Sequence, residues 1–307
     1  MDKVKICVVG SCNTDLMSYV ERLPRMGETL HGNSFKMGFG GKGANQAVMA
    51  SRLGAEVVMI GKVGKDIFGE NTLRNFRSLS IDTRYVMSTD RAFSGVATIS
   101  VDREGNNAIV IVSGANDLIS EEEIEQARDD IAKSAVMICQ LEIPPEITLK
   151  ALRVAREEGV MTILNPAPAR FGLPDEFYKL SDILCPNESE TEILTGKTVR
   201  TADDLEQAGM VFLERGVKAA VITLGERGCL LITEQERKYV PAKKVKALDT
   251  TGAGDAFIGS MAFYLAKGKS LAESTLKANA IAALSVQAYG TQSSFPEASD
   301  LADDYLD

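Results

Sequence analysis

The segment Asp249–Phe257, DTTGAGDAF, joins a glycine-rich turn to a carboxylate in a pattern suited to phosphate chemistry. An apolar helical pattern follows it, so the turn opens a helix. The N–H groups and the positive dipole end at a helix start bind anions. In the first turn, Asp255 could take a proton from a hydroxyl that attacks a bound phosphate. The alternative is that Asp255 only satisfies the helix N-terminus.

A second glycine-rich segment is GFGGKGAN, residues 38–45, followed by the helical stretch QAVMASRL. Its glycines allow close backbone approach to a ligand, and the amides at the helix start are donors. It is not a P-loop, because the GxxxxGK[ST] spacing is absent. Lys42 and Asn45 suit sugar hydroxyls and favour a polyol site, although a tight turn into a helix would explain the glycines equally simply.

Two shorter polar segments follow strand-like runs, CPNESE at 185–190 and TLGERG at 223–228. Asn187 and Glu190 either cap a helix or organise Mg²⁺ and its waters near nucleotide phosphates. The TLGERG segment either forms a bare turn or binds a ligand at the end of a strand.

A layered α/β fold is predicted to position these segments. Continuous apolar runs are typical of strands covered on both faces of a parallel sheet. They recur at 4–9, 57–60, 136–141, 160–164, 183–185, 220–224 and 229–232. Between them, Ser120 with Glu123 forms a capping-box pattern, and Gly54, Gly159 and Gly216 each stand where a helix would end. This alternation of strands and helices predicts an α/β sheet.

Two stretches interrupt that alternation. Residues 14–39 and 94–112 contain strand-like runs without helices between them, and the second has a hairpin signature at Gly105-Asn106. They predict a small antiparallel sheet formed by two excursions from the main domain.

The composition of the chain excludes several classes of partner and of catalytic group. The 307 residues carry a net charge of −9, which disfavours nucleic acid as a partner. No apolar run reaches the length of a membrane span, and the N-terminal run is too short for a signal peptide, so a cytoplasmic protein is expected. The five cysteines contain no CxxC pair, so no zinc or redox site is indicated. His31, the single histidine, lies in a polar connection, which leaves acid–base chemistry to a carboxylate.

GFGGKGAN, NESE, TLGERG and DTTGAGDAF, in this order and spacing, resemble the ribokinase family of carbohydrate kinases. The resemblance extends from VVGSCNTDL near the start to SVQAYGTQSS near the end. It implies one ribokinase-like catalytic domain over residues 1–307, a three-layer α/β/α sandwich with a mostly parallel central sheet. The small sheet, from about 14–39 and 94–112, would be a lid over the sugar and would also pair two chains into a homodimer.

The implied reaction is ATP-dependent phosphorylation of D-ribose at O5, giving D-ribose 5-phosphate and ADP, with Mg²⁺ and an activating K⁺. Asp255 would be the general base, and Gly252, Ala253 and Gly254 would form the anion hole. The sugar contacts implied by the family are Asn13, Thr14, Asp15, Gly41, Lys42, Gly43, Ala44, Asn45, Glu142 and Asp255. The ATP contacts are Asn187, Thr223, Leu224, Gly225, Glu226, Arg227, Gly228, Gly254, Asp255 and Asn279. Asp249, Thr251, Ser285, Ala288, Gly290 and Ser294 would hold K⁺, and Glu190 would act indirectly on Mg²⁺.

Three other interpretations compete with this one. A kinase of the same family acting on 2-deoxyribose, fructose or a nucleoside would share most of these residues. A catalytically silent sugar-binding protein would keep the fold but have an altered Asp255 or a broken Gly-Ala-Gly turn, and both are intact. A Rossmann dehydrogenase is excluded, because no GxGxxG follows the first strand.

Overall fold

The apolar runs of the sequence form a large sheet in the computed structural model, which describes residues 3–301. The strands are β1 (Lys5–Val9), β2 (Asn13–Tyr19), β3 (Ser34–Gly40), β4 (Glu56–Gly64), β5 (Asp82–Thr89), β6 (Gly95–Val101), β7 (Asn107–Val112), β8 (Val136–Cys139), β9 (Met161–Leu164), β10 (Ile183–Leu184), β11 (Ala219–Thr223), β12 (Cys229–Thr233) and β13 (Arg237–Val240). Nine of them form the main sheet in the order β13-β12-β11-β10-β9-β8-β1-β4-β5.

The strands from β11 across to β5 pair in parallel, while β12 and β13 add an antiparallel edge. The connecting helices are α1 (Lys42–Arg52), α2 (Ile67–Ser78), α3 (Glu121–Gln126), α4 (Arg128–Ala132), α5 (Pro145–Glu157), α6 (Asp175–Leu180), α7 (Glu188–Thr195), α8 (Ala202–Glu214), α9 (Ala253–Ala266) and α10 (Leu271–Ser285). Short 3₁₀ turns lie at Gly114–Leu118, Gly225–Arg227, Gln292–Ser294 and Ala298–Asp300.

Each face of the main sheet has its own hydrophobic core. Along β1, Ile6 and Val8 point into a core with α1, α9 and α10, whereas Cys7 and Val9 point into a core with α5 and α8. Successive side chains of a strand point to opposite faces, so continuous apolar strands fill both cores. The predicted three-layer α/β/α class is therefore confirmed. The segments 185–190 and 223–228 lie at the ends of its strands β10 and β11, whereas residues 38–45 begin within β3 of a smaller sheet.

A smaller separate sheet has the order β3-β2-β6-β7. Its β2 and β6 pair in parallel, and its two outer pairs are antiparallel, so it is not the purely antiparallel sheet that the sequence indicated. The reason is that the two excursions enter it separately, each as its own hairpin. At one edge, all six residues of β7 are exposed.

Several local predictions are confirmed. Ser120 and Glu123 form a capping box, and Gly54, Gly159 and Gly216 have φ values of 100°, 71° and 111° at helix ends. The sequence did not indicate β5 or β13. Among residues 3–301, no helix is both long and apolar enough to cross a membrane.

Candidate active site

Helices α1 and α9 bring the two glycine-rich segments together. The helices cross in close contact at Gly259, where an added Cβ would lie 2.6 Å from the carbonyl oxygen of Gln46 and 2.8 Å from Cβ of Met49. A glycine at this crossing allows the helix backbones to approach. As a result, the first turns of the two helices, which carry Asn45 and Asp255, face each other.

Asp255 is buried, and both of its carboxylate oxygens accept hydrogen bonds from α1. The Nδ2 of Asn45 donates to Oδ2 over 2.9 Å, and the Nε2 of Gln46 donates to Oδ1 over 2.8 Å. Burial raises the pKa of Asp255, while the Lys42 cation and these two hydrogen bonds act in the opposite direction. A carboxyl group with a raised pKa and fixed donors suits a general base.

Glu142, three residues after the end of β8, anchors the start of α1. Its Oε2 accepts hydrogen bonds from the Ser11 hydroxyl over 2.6 Å and from the Lys42 backbone N–H over 3.0 Å. Burial opposes the charged form of Lys42, yet the carboxylates of Asp255, Glu142 and Glu190 outweigh burial and raise its pKa. The Lys42 ammonium is therefore the cation within a cluster of acids.

The α1 helix begins at Lys42, four residues earlier than the helical pattern indicated. Gly41 precedes it with φ of 87°, and a Cβ there would lie 2.7 Å from the Asn13 nitrogen. The N–H groups of Gly43 and Ala44 donate to Oγ and to the carbonyl oxygen of Ser11. These two amides hold the turn together, and contact of Gly43 and Ala44 with the sugar stays a prediction.

Asn13 and Asp15 enter the site from β2 of the small sheet. The Nδ2 of Asn116 donates to Oδ1 of Asn13 over 2.8 Å, and a side chain at Gly40 would clash with the Asp15 carboxyl group. Burial, together with Glu142 and Asp255, raises the pKa of Asp15 to about 7. The neighbouring Thr14 is buried. A cavity of about 420 Å³, lined by Asp15, lies between β2, β3 and residues 289–293.

The turn before α9 has the geometry of an anion site. Gly252 is its N-cap with φ of 78°, and Gly254 is exposed. The first N–H groups of an α-helix have no intrahelical partner. The Ala253 N–H, however, donates to the Thr250 carbonyl oxygen over 3.2 Å, so that predicted donor is engaged within the turn.

A second cavity, of about 840 Å³, opens beside this turn. Its walls include Gly225, Glu226, Arg227, Tyr239, Ala253 and Asn279. Asn279 is buried and donates from Nδ2 to the Val240 carbonyl oxygen over 3.1 Å. Among the expected nucleotide contacts, Leu224 and Gly228 are buried, and the Leu224 N–H donates to the Gly228 carbonyl oxygen over 2.7 Å.

Asn187 and Glu190 form a capping box at the start of α7. The Oδ1 of Asn187 accepts from the Glu190 N–H, and Glu190 Oε2 accepts from the Asn187 N–H, each over 2.8 Å. Asn187 also pairs with Thr223 through a parallel β-bridge, which ties the two predicted nucleotide segments together. Burial raises the pKa of Glu190. The capping alternative is therefore realised, and a role toward Mg²⁺ remains a prediction.

The residues predicted to hold K⁺ lie in two loops joined by Asp249. Its Oδ1 accepts from the Thr251 N–H over 3.0 Å, and its Oδ2 accepts from the Gly290 N–H over 2.9 Å. Ser285 ends α10, and Ala288 and Ser294 lie in the loop that follows, where Ser294 donates to the Thr291 carbonyl oxygen. One carboxylate with backbone carbonyl oxygens is a donor set that fits a hard cation. Among residues 3–301, no group of three or more His, Cys, Asp or Glu side chains could hold a metal ion.

Residues 3–298 match the model of the pfkB family carbohydrate kinases. The chain belongs to this family. It is 51% identical to the ribokinase of Mus musculus over 300 aligned residues. The alignment covers 96% of this chain and 93% of the mouse protein. It is 43% identical over 291 residues to the deoxyribokinase of Salmonella typhi, which covers 95% of each protein.

Solved pfkB-type structures agree with this assignment. The ribokinase of Thermotoga maritima has a TM-score of 0.90 at 35% identity, over 99% of both chains. Arabidopsis thaliana ribokinase complexed with ribose and ATP has a TM-score of 0.89 at 31% identity, also over 99% of both chains.

Sequence reasoning missed two polar residues of this pfkB-family site. Gln46 follows GGKGAN directly, and a glutamine among the apolar residues of a helix signals a buried polar contact. Gln140, at the end of the β8 run, is also fully buried and donates from Nε2 to Oε1 of Gln46 over 2.7 Å.

Proposed function

We propose that this chain transfers the γ-phosphoryl group of ATP to O5 of D-ribose, giving D-ribose 5-phosphate and ADP. The observation that carries the proposal is the position of Asp255. It lies in the first turn of α9, beside the Gly252–Gly254 turn, and is hydrogen-bonded to Asn45 in the GGKGAN segment. A base between an anion site and a polyol site is what phosphorylation of a sugar requires. Relatives that are named ribokinase and align with nearly the whole chain support D-ribose as the substrate.

In the proposed mechanism, Asp255 accepts the proton of the O5 hydroxyl as O5 attacks the γ-phosphorus. The O5–P bond forms while the bond from the γ-phosphorus to the β–γ bridging oxygen breaks, and ADP leaves. The N–H groups of the turn before α9 and the Lys42 ammonium stabilise the negative charge that develops on the transferring group.

The sugar is proposed to lie among Asn13, Asp15, Lys42, Asn45 and Glu142. Carboxylates and carboxamides offer paired acceptors and donors to neighbouring hydroxyls. The cavity of about 420 Å³ beside Asp15 is bounded by the small sheet, which supports a lid role for that sheet.

ATP is proposed to occupy the cavity of about 840 Å³ beside Arg227 and Asn279, with its phosphates toward Gly254. Bound Mg²⁺ would neutralise phosphate charge, and Asn187 and Glu190 are proposed to order its water shell. K⁺ is proposed at the Asp249 loops, where it would stiffen the turn before α9.

The test is ADP release with D-ribose, 2-deoxyribose, fructose and adenosine as acceptors, in KCl and in choline chloride, with phosphorus NMR to locate the phosphate. Turnover on ribose that falls sharply without K⁺ supports the substrate, the position and the cation together. Preference for another acceptor overturns the ribose assignment. Tight ribose binding without turnover on any acceptor points to a silent sugar-binding protein.

A second candidate substrate is 2-deoxyribose, because a relative at 43% identity is named a deoxyribokinase. The two sugars differ only in the 2-hydroxyl. A site whose buried polar groups hydrogen-bond that hydroxyl rejects the deoxy sugar strongly, since those groups would lose their partner. The ratio of kcat/KM values for the two sugars decides between them.

We also propose a homodimer through the small sheet. β7 is an edge strand, and Ile109, Val110, Ile111 and Val112 are each at least half exposed. An exposed apolar edge strand is a surface for pairing with another chain. A cytoplasmic location is proposed as well, because a reducing compartment suits the five free, buried cysteines.

A further inference from the structure

Asp255 is enclosed by a chain of side-chain amides, only one of which the reaction scheme above uses; all of them are buried except Asn75, which is half-buried. We call Asn75, Gln292, Asn45, Gln46, Gln140 and Asn165 the amide chain. It reaches the two oxygens of Asp255 from opposite directions, through Gln46 on Oδ1 and through Asn45 on Oδ2.

On the Oδ1 side, the orientation of the Gln46 amide is fixed. Gln140 donates from Nε2 to Oε1 of Gln46 over 2.7 Å, so Oε1 is the acceptor and Nε2 faces Asp255. The same Nε2 donates to Oδ1 of Asn165 over 3.2 Å. Gln46 and Gln140 are fully buried, and water cannot replace these partners without a change of packing.

On the Oδ2 side, Gln292 orients Asn45. Its Nε2 donates to Oδ1 of Asn45 over 3.0 Å, which leaves Nδ2 of Asn45 as the donor to Asp255. Gln292 is itself held by Asn75, whose Nδ2 donates to Oε1 of Gln292 over 3.0 Å. Asn45 and Gln292 therefore each have one orientation that satisfies both of their neighbours.

We propose that Gln46 and Gln292 are positioning residues for the phosphoryl transfer. They direct one amide N–H to each oxygen of Asp255, which stops the carboxylate from rotating and keeps it ionised and ready to accept the O5 proton. This inference rests on the proposed function, because it requires Asp255 to be the base. A buried carboxylate without these donors would favour its protonated form, which cannot accept a proton.

Charged groups also face Asp255 from the surrounding elements. They are Lys42 from α1, Glu142 after β8, Asp15 from β2 and Glu190 from α7. The three carboxylates oppose ionisation of Asp255, and Lys42 favours it. Removal of one amide donor leaves these charges in place, so a change in the pH profile reports on the amide itself.

The experiment compares wild type with Gln46→Leu, Gln46→Glu and Gln292→Leu in the full chain. Thr162→Val is the matched control, because Thr162 is a fully buried polar residue whose hydroxyl donates to the Leu180 carbonyl oxygen, away from Asp255. The readouts are kcat against pH with ribose and ATP, the ribose Kd by calorimetry, and the melting temperature. Asp255→Asn is assayed alongside them.

For Gln46→Leu we expect kcat to fall about 10- to 100-fold, with the ribose Kd within roughly threefold of wild type. The acid limb of kcat should move to higher pH by roughly one unit, since an N–H donor to the carboxylate is lost. Gln46→Glu and Gln292→Leu should move it in the same direction. Thr162→Val should lower the melting temperature and leave the acid limb unchanged.

Two outcomes separate the inference from the proposed function. If Asp255→Asn removes turnover but the acid limb stays in place in folded Gln46→Glu and Gln292→Leu, the positioning role is wrong and the base assignment stands. If Asp255→Asn keeps near-wild-type turnover, the base assignment fails and the positioning role fails with it.

Discussion

The Oδ2 of Asp249 accepts a hydrogen bond of 2.9 Å from the backbone N–H of Gly290, 41 residues later in the chain. Its Oδ1 accepts a hydrogen bond from the backbone N–H of Thr251, which lies two residues before the start of α9 at Ala253. This one carboxylate thus links the loop after α10 to the turn that is proposed to bind phosphate.

Because a monovalent cation is proposed at this junction, Asp249→Asn should abolish the response to K⁺. Loss of the charge weakens cation binding, while the amide oxygen can still accept one backbone hydrogen bond. Binding of K⁺ to the folded state alone raises the melting temperature, so wild type should melt higher in KCl than in choline chloride. The Asp249→Asn variant should melt at the same temperature in both salts.

The control is Glu214→Gln, an exposed substitution in α8 that changes the net charge by the same amount. It should keep the higher melting temperature in KCl. An Asp249→Asn protein that still melts higher in KCl than in choline chloride would refute the cation site.

Asp255→Asn or Asp255→Ala should lower kcat by a factor of ~10² to 10⁴ and leave ribose binding largely intact. The variant loses the proton acceptor but keeps the other sugar-facing groups. Steady-state kinetics and ribose calorimetry measure the two effects separately. Turnover close to wild type would remove Asp255 from the base role.

Gly259→Ala should impair catalysis from a position that touches no substrate. The new Cβ would meet the Gln46 carbonyl oxygen at 2.6 Å and force α1 and α9 apart, which lengthens the hydrogen bonds to Asp255. Both kcat and the melting temperature should fall. Gly209→Ala in α8 is the matched control, because its Cβ would meet the flexible end of the Ile232 side chain instead. Equal kcat values for the two variants would contradict the crossing argument.

Strands and caps were predictable where a local pattern determines them. β1 is apolar along its whole length because both of its faces are covered, and Ser120 with Glu123 caps a helix through contacts three residues apart. In β5, by contrast, burial is irregular and the strand contains Asp82 and Arg84, so no local period marks it. Its place beside β4 depends on pairing that the local sequence does not encode.

The chemistry of the site was predictable only in part for the same reason. Asp255 is a predictable candidate because a carboxylate in a Gly-Ala-Gly helix start has a recognisable local pattern. Its contact with Gln46 joins residues 209 positions apart and depends on the close helix crossing at Gly259. The sequence likewise could not reveal that Ser11 accepts hydrogen bonds from the amides of Gly43 and Ala44.

Asp15→Asn should stabilise the protein at pH 8 while weakening ribose binding. The pKa of Asp15 is raised to about 7, whereas an aspartate in the unfolded chain has a pKa near ~3.9. Between these values the folded state holds a proton that the unfolded state has lost, so the free energy of unfolding decreases as pH rises through that window. Above pH 7 the folded state bears the full cost of an ionised Asp15, which lowers the free energy of unfolding. An asparagine at this position does not ionise and has no such cost.

The measurement is the melting temperature of sugar-free wild type and Asp15→Asn at pH 5 and pH 8. The variant should melt higher by on the order of a few degrees at pH 8, with a smaller advantage at pH 5. An equal difference at the two pH values would mean that titration of Asp15 does not control stability. Ribose calorimetry at pH 8 should show at least a tenfold weaker Kd for the variant.

Val110→Lys should dissociate the proposed dimer. The side chain lies on the edge strand β7 and is 64% exposed, so a lysine is tolerated in the monomer but opposes edge-to-edge pairing. Sedimentation velocity should show wild type as a dimer and the variant as a monomer at the same concentration. Tyr239→Lys is the control. Tyr239 lies next to Lys238 on β13, the edge strand of the main sheet, and this variant should not change the sedimentation of the protein. A monomeric wild type, or a dimeric Val110→Lys, would show that the small sheet does not hold two chains together.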